Sequence, residues 1–276
     1  MNINVMDILK AFLVVSCTGV VLGVLLALAS RFFGVEEDEK QKKVRSALPG
    51  ANCGACGFKG CNDYAEALAK GLAEPNLCVP GGESTAKELS EILGVNAEAK
   101  APVVALVHCN AACTESENPP VYDGIDSCRA RSAIYGGLKA CTYGCLGCGD
   151  CAKVCPANAI HVANGVARVT PELCIGCGLC TKTCPKHIIS MVPKNATTFV
   201  YCSSLDKGAV ARKACKNACI GCKKCEKNCP SEAIKVVNNL ATIDYTKCTG
   251  CGACVEGCPT GCLKDQVIRP CPSSNE

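Results

Sequence analysis

The chain has 276 residues, a net charge of +4 and 29 cysteines, more than a tenth of all positions and far above ordinary usage. A disulfide scaffold of that density is short and secreted, whereas this chain is long, its thiols fall in C-x-x-C runs and their number is odd. The charge is too small to indicate nucleic acid. With no Trp, five Phe and six Tyr, several large aromatic cores are excluded, and bound metal is expected to supply folding free energy to small domains.

Residues 11–30, AFLVVSCTGVVLGVLLALAS, carry no charge, and about 20 residues rising ~1.5 Å each span a bilayer core. A transmembrane anchor is expected over 1–31, with Cys17 a small apolar filler. A cleaved signal peptide is the alternative, since Ala27, Ala29 and Ser30 loosely resemble a cleavage site. The leading MNINVMDILK, with one Lys and one Asp, is a poor basic n-region. Only Lys10 precedes the span, whereas Arg31, Lys40, Lys42, Lys43 and Arg45 follow it. The positive-inside rule then places the N-terminus outside the cytoplasmic membrane and the bulk in the cytoplasm. Residues 32–45 read as a linker.

GANCGACGFKGC at 50–61 supplies Cys53, Cys56 and Cys61, with Cys78 following. Four thiolates with Gly50, Gly54, Gly57 and Gly60 suit a bulky cluster whose sulfurs accept backbone N–H bonds; four cysteines also suit zinc. NDYAEALAKGLAEP reads as a helix ended by Pro75, and STAKELSEILG as another, with Ser84 as N-cap and Gly94 as C-cap. APVVALVHC resembles a short buried strand. Together these form an expected small α/β [4Fe-4S] domain over 46–110, followed by a connecting segment over 111–135.

Next come Cys145-x2-Cys148-x2-Cys151-x3-Cys155-Pro156 and Cys174-x2-Cys177-x2-Cys180-x3-Cys184-Pro185, the two-cluster bacterial ferredoxin signature. The pattern returns at Cys219, Cys222, Cys225, Cys229 and at Cys248, Cys251, Cys254, Cys258, each 74 residues on (Cys145 to Cys219, Cys184 to Cys258). The module is duplicated, over 136–198 and 199–271. In this signature the fourth thiolate of each run ligates the neighbouring cube. The expected sets are Cys145, Cys148, Cys151, Cys184; Cys174, Cys177, Cys180, Cys155; Cys219, Cys222, Cys225, Cys258; and Cys248, Cys251, Cys254, Cys229. Asn164-Gly165 and Asn238-Asn239, flanked by alternating apolar residues, read as hairpin turns. The fold class is therefore α+β: a membrane helix, a small cluster domain and two tandem ferredoxin modules.

Five [4Fe-4S] clusters follow. The same offset pairs Cys128 with Cys202 and Cys141 with Cys215, surplus thiols that serve as core fillers, alternative ligands or a sixth cluster. Cys109, Cys113, Cys262 and Cys271 are unassigned. No G-x-G-x-x-G follows a strand into a helix, so no nicotinamide site is expected. His108, His161 and His187 lack ligand spacing and read as surface or packing residues. No acid–base pair stands out, so no catalytic residue is expected.

The order of membrane helix, GANCGACGFKGC domain, VALVHC strand, YGCLGCGDC and CSSLDKG segments and paired ferredoxins resembles the RnfB family of Rnf complexes. That resemblance implies an electron-transfer subunit of a membrane-bound ferredoxin:NAD+ oxidoreductase that pumps sodium or protons. It also implies soluble acidic ferredoxin as electron donor and other membrane and peripheral subunits as partners. Against the family pattern Cys148 is not a required cysteine, which makes Cys141 its candidate substitute. A membrane-anchored polyferredoxin without ion coupling is the alternative reading.

Overall fold

The computed structural model describes residues 5–32, 39–96, 101–111, 123–134 and 139–265; Cys113 and Cys271 lie outside them. Helix α1 (Val5–Phe32) contains a 20-residue span, Phe12–Arg31, long and apolar enough to cross a membrane. Its large apolar side chains are 49% to 72% exposed, so they face all round the helix without a protein partner among the described residues. Lipid is the medium in which such a surface costs nothing.

Helices α2 (Glu39–Ala47), α3 (Cys61–Ala69) and α4 (Gly82–Leu93) form the next unit. Val44, Tyr64, Leu68 and Leu89 bury their side chains together there. The stretch read as linker therefore becomes helical from Glu39, because Val44 joins this core. Helix α3 stops at Ala69 rather than at Pro75: Gly71 turns the chain at φ +69° and the Leu72 N–H donates to Ala67 O at 2.8 Å. Helix α4 starts before the expected cap Ser84, whose hydroxyl donates back to Gly81 O, and ends as expected on left-handed Gly94.

Strand β1 (Val103–Val107) was expected inside the 46–110 unit. The order continues with α5 (Cys128–Ala133), α6 (Asp150–Lys153), β2 (Ile160–Ala163), β3 (Val166–Val169), α7 (Leu179–Thr183) and β4 (Ile189–Pro193). β1 pairs antiparallel with β4, Val103 opposite Pro193 and Val107 opposite Ile189, so it closes the first ferredoxin module. The second module repeats this with β5 (Phe199–Val200), α8 (Gly208–Ala214), α9 (Lys224–Lys227), β6 (Ile234–Val237), β7 (Leu240–Ile243), α10 (Ala253–Glu256) and β8 (Leu263–Lys264), in which β5 pairs with β8. The central hairpins β2–β3 and β6–β7 turn at Asn164-Gly165 and Asn238-Asn239, all four at positive φ, the primed geometry that matches strand twist.

The matching ends of these outer pairs reset one equivalence. His108 N–H donates to Ile188 O and Tyr201 N–H to Cys262 O, each at 2.7 Å. The residue after each donor is Cys109 in one module and Cys202 in the other. Cys202 therefore corresponds in space to Cys109, at an offset of 93 rather than 74, and not to Cys128. The first module carries an insertion between its opening strand and its ferredoxin run, and Cys128 belongs to that insertion. His108 is a packing residue between modules: its Nδ1–H donates to Val200 O at 2.7 Å and its Nε2 lies 2.6 Å from Ser190 Oγ. Burial lowers its pKa, which keeps it neutral in that position.

Candidate iron-sulfur sites

Each ferredoxin run is bent by the same three left-handed residues. Within Cys-x-Gly-Cys the glycines Gly147, Gly176, Gly221 and Gly250 lie at φ +65° to +75°. A Cβ at Gly147 would sit 2.5 Å from Gly165 O, and one at Gly176 2.6 Å from Val103 O, so no other residue fits. The residue after the second cysteine is also left-handed, as Gly149, Gly178, Gly252 and, in the 219 run alone, Lys223 at φ +59°. After each Cys-Pro, Asn158, His187, Glu232 and Gly261 turn the same way. Backbone N–H groups meet the sulfurs, Ala159 N–H beyond the Asn158 bend donating to Cys155 Sγ at 3.3 Å and Ala167 N–H of β3 to Cys145 Sγ at 3.4 Å. Such donors stabilise thiolate and cluster sulfur.

The cysteines gather in groups. Cys78 lies within electrostatic reach of Cys61, Cys53 and Cys56. The loop carrying it is held by the Tyr64 hydroxyl, which donates to Glu74 O at 2.6 Å and accepts from Leu77 N–H. Cys180 is surrounded by Cys174, Cys177 and Cys155. In the second module one cavity of about 310 Å³ is lined by Cys219, Cys222, Cys225 and Cys258, and another of about 310 Å³ by Cys229, Cys248, Cys251 and Cys254. In the second module the fourth thiol of each run, Cys229 or Cys258, thus lines a cavity with the first three thiols of the other run. Burial, with neighbouring thiols adding to it, pushes Cys151 and Cys180 up to about 12 and Cys225 up to about 11. The 219 cavity also holds Cys262, whose Sγ is 3.6 Å from that of Cys258. Hydrogen bonding with Cys262 lowers Cys219 to about 6 and Cys258 to about 4 and raises Cys262 itself.

The 145 run departs from the pattern. Its cavity of about 350 Å³ is lined by Cys128, Cys145, Cys151 and Cys184. Cys148 packs instead with Cys128 and Leu146, and burial followed by the Cys128 charge pushes it up to about 12. Helix α5 brings Cys128 there because Asp150 anchors its start, accepting from Ser127 Oγ at 3.0 Å and Arg129 N–H at 3.2 Å. Burial opposes the Asp150 charge, but these hydrogen bonds outweigh it and lower its pKa. Cys141, the expected substitute for Cys148, lies elsewhere, beside Cys109. No spacing rule points to Cys128; its only sequence signal is being a surplus thiol.

The groups adjoin one another in series. Cys53 reaches Cys177, Cys180 reaches Cys151, and Cys225 reaches Cys254. Between Cys145 and Cys219 the series runs through Cys109, Cys141 and Cys202.

Zinc would draw its sulfurs to ~2.3 Å from a single centre. Cysteines spread around cavities, with N–H groups on their sulfurs, fit polynuclear clusters.

Family comparison agrees. A putative Fe-S cluster family matches residues 48–80, and 4Fe-4S dicluster domain families match 144–188, 173–233 and 218–263. The RnfB component of the Na(+)-translocating ferredoxin:NAD(+) oxidoreductase complex of Acetobacterium woodii is 42% identical over 90% of this chain and 75% of its own length. Its counterpart in the proton-translocating complex of Clostridium ljungdahlii is 41% identical over 86% and 84%. This chain belongs to the RnfB family. A third member, from the ion-translocating oxidoreductase complex of Methanosarcina acetivorans, is 39% identical over 76% of this chain and 80% of its own length. Membership in the RnfB family makes the chain an iron-sulfur electron-transfer subunit of an oxidoreductase complex, and α1 fits membrane association.

Proposed function

We propose that this chain takes electrons from a soluble acidic ferredoxin and relays them to the other membrane and peripheral subunits of an Rnf-like complex, for delivery to NAD+ coupled to ion translocation. The observation that carries this reading is the series of cysteine groups from Cys254 back to Cys53, next in sequence to the membrane helix. The residues that hold [4Fe-4S] clusters are Cys53, Cys56, Cys61, Cys78 and the four crossed ferredoxin sets. The clusters supply reversible one-electron storage when bound; the chain supplies thiolates, N–H donors and spacing. Hydride transfer to NAD+ and ion movement are assigned to the partner subunits.

The test is reduction of the anaerobically purified protein by ferredoxin, followed by EPR, together with co-purification from membranes. Fast reduction and recovery with integral membrane partners are expected. Fast reduction without recovery of integral membrane partners returns the uncoupled polyferredoxin reading.

Two expectations attach to individual sites. Deleting residues 1–31 leaves every proposed ligand in place, so the shortened chain should be soluble and keep its iron. Its retention in washed membranes lacking partner subunits would contradict a one-helix anchor. At the 145 site two thiols stand side by side for one ligand position. Cys128→Ser or Cys148→Ser alone should therefore keep the full iron content, and the double variant should lose about four iron atoms, one cube.

A further inference from the structure

Apart from Cys128 and Cys262, which line the 145 and 219 cavities, the described cysteines outside the sets above and beyond the membrane helix are Cys109 and Cys141 from the first module and Cys202 and Cys215 from the second. They meet where the modules join. Ser203, beside Cys202, donates to His108 O at 3.2 Å and Tyr143 O at 3.0 Å, tying it to the neighbours of Cys109 and Cys141. Asn217 donates to Asn110 O at 3.3 Å, which draws the loop after Cys215 to the loop after Cys109. Cys215 itself packs against both module cores, the one containing Cys109 and the one containing Cys202.

Resting on the iron-sulfur reading above, we infer that Cys109, Cys141, Cys202 and Cys215 bind a sixth [4Fe-4S] cluster, shared between the modules, which bridges the 145 and 219 sites.

Inert packing is the competing account, and a buried cysteine that merely fills space needs no hydrogen-bond donors. Three of these sulfurs have them. Cys109 Sγ accepts from Cys145 N–H at 3.4 Å, and Cys202 Sγ from Cys219 N–H at 3.2 Å and Ser204 N–H at 3.5 Å. The N–H groups of Tyr143 and Gly144 serve Cys141. This is the pattern found at Cys145 and Cys155. The quartet is also symmetric, since Cys109 and Cys202 follow equivalent strands while Cys141 and Cys215 each stand four residues before the first ferredoxin cysteine.

Charge supplies an independent indication. Arg168 is half-buried beside Cys109, donating to Cys109 O at 2.7 Å and Asn110 Oδ1 at 2.9 Å. Among the described residues its guanidinium has no carboxylate partner within salt-bridge distance. A partly desolvated cation facing only neutral acceptors needs an anion nearby, and a thiolate-bound cluster is one. Asp206 is also near Cys141, and Lys139 donates to Ala111 O at 3.4 Å.

The site completes the series, because Cys145 N–H and Cys219 N–H each donate to one of its sulfurs. One electron arrives as the site on one side is oxidised and leaves as the site on the other is reduced; no bond breaks and no proton moves.

Native mass spectrometry of the anaerobic full chain counts clusters directly. Six are expected in the unmutated protein and five in Cys141→Ala/Cys215→Ala. A count of five in the unmutated protein overturns the inference while leaving the iron-sulfur reading intact, whereas bound zinc or three clusters overturns that reading itself. Six clusters retained by the double variant also overturns the site. If the double variant sheds neighbouring clusters too, Cys215→Ala alone decides. Loss of one ligand should convert one cube to a three-iron form visible by EPR in the oxidised protein, and a silent oxidised spectrum rejects the assignment.

Discussion

Stripping iron from the purified protein with a chelator should abolish the cooperative unfolding transition of both ferredoxin modules. Their sheets are four two-stranded ribbons with strands of two to five residues, and an isolated ribbon is marginal in water. The second module's buried core consists of Cys, Ala, Val, Ile and Leu, with cysteine the most frequent residue. Metal-coupled folding of small domains contributes about 10 to 16 kcal/mol in zinc-bound peptides, more than such cores provide alone. Acid should accelerate the loss. Burial raises Cys151 and Cys180 to about 12 in the folded, metal-free chain, so ligation must release their protons, and affinity falls as pH falls. Circular dichroism should show the ribbon signal vanish with the iron. A stripped chain that keeps a sharp thermal transition would contradict the claim.

Reversing four charges, Lys213, Lys216, Lys223 and Lys224 to Glu, should slow reduction by ferredoxin about 10- to 10³-fold at low salt. Between 206 and 227 the second module has seven cations against Asp206 and Glu226, whereas 132–153 has Lys139 and Lys153 against Asp150. The structure sharpens this difference. In the first module Lys139 is spent on Gly165 O at 2.8 Å, and Lys153 donates to Asp126 O at 3.3 Å. In the second, all seven cations are exposed and form no salt bridge among the described residues. Glu226 is occupied by the Val236 N–H at 3.3 Å. Lys223 and Lys224 line the 219 cavity, beside exposed Cys222. A solvated patch that serves only solubility would leave the ferredoxin rate unchanged, and steering would not. Dithionite, a small reductant that needs no docking, should reduce the variant normally. Raising salt should bring unmutated protein and variant together, because screening removes steering.

Much of this arrangement is local, and local chemistry is written in spacing. The second module's C-x2-C-x2-C-x3-C-P runs group their thiols across the pair because the left-handed bends, most of them at glycines, lie within the runs or just beyond each Cys-Pro. The Asn-Gly and Asn-Asn turns place β2–β3 and β6–β7 for the same reason. The uncharged run at 11–30 needs only its length and composition to be read as a span.

Tertiary structure alone decided what depends on distant pairing. Strand β1 joins β4, more than 80 residues away in the chain, a choice made by which apolar faces remain uncovered rather than by any nearby signal. That pairing shows Cys109 to be the counterpart of Cys202, an equivalence the insertion hides from a fixed repeat offset. Cys128 reaches the 145 cavity only because Asp150 captures the start of α5. The Cys109, Cys141, Cys202 and Cys215 quartet exists only because the two modules dock, and no motif within either module contains it.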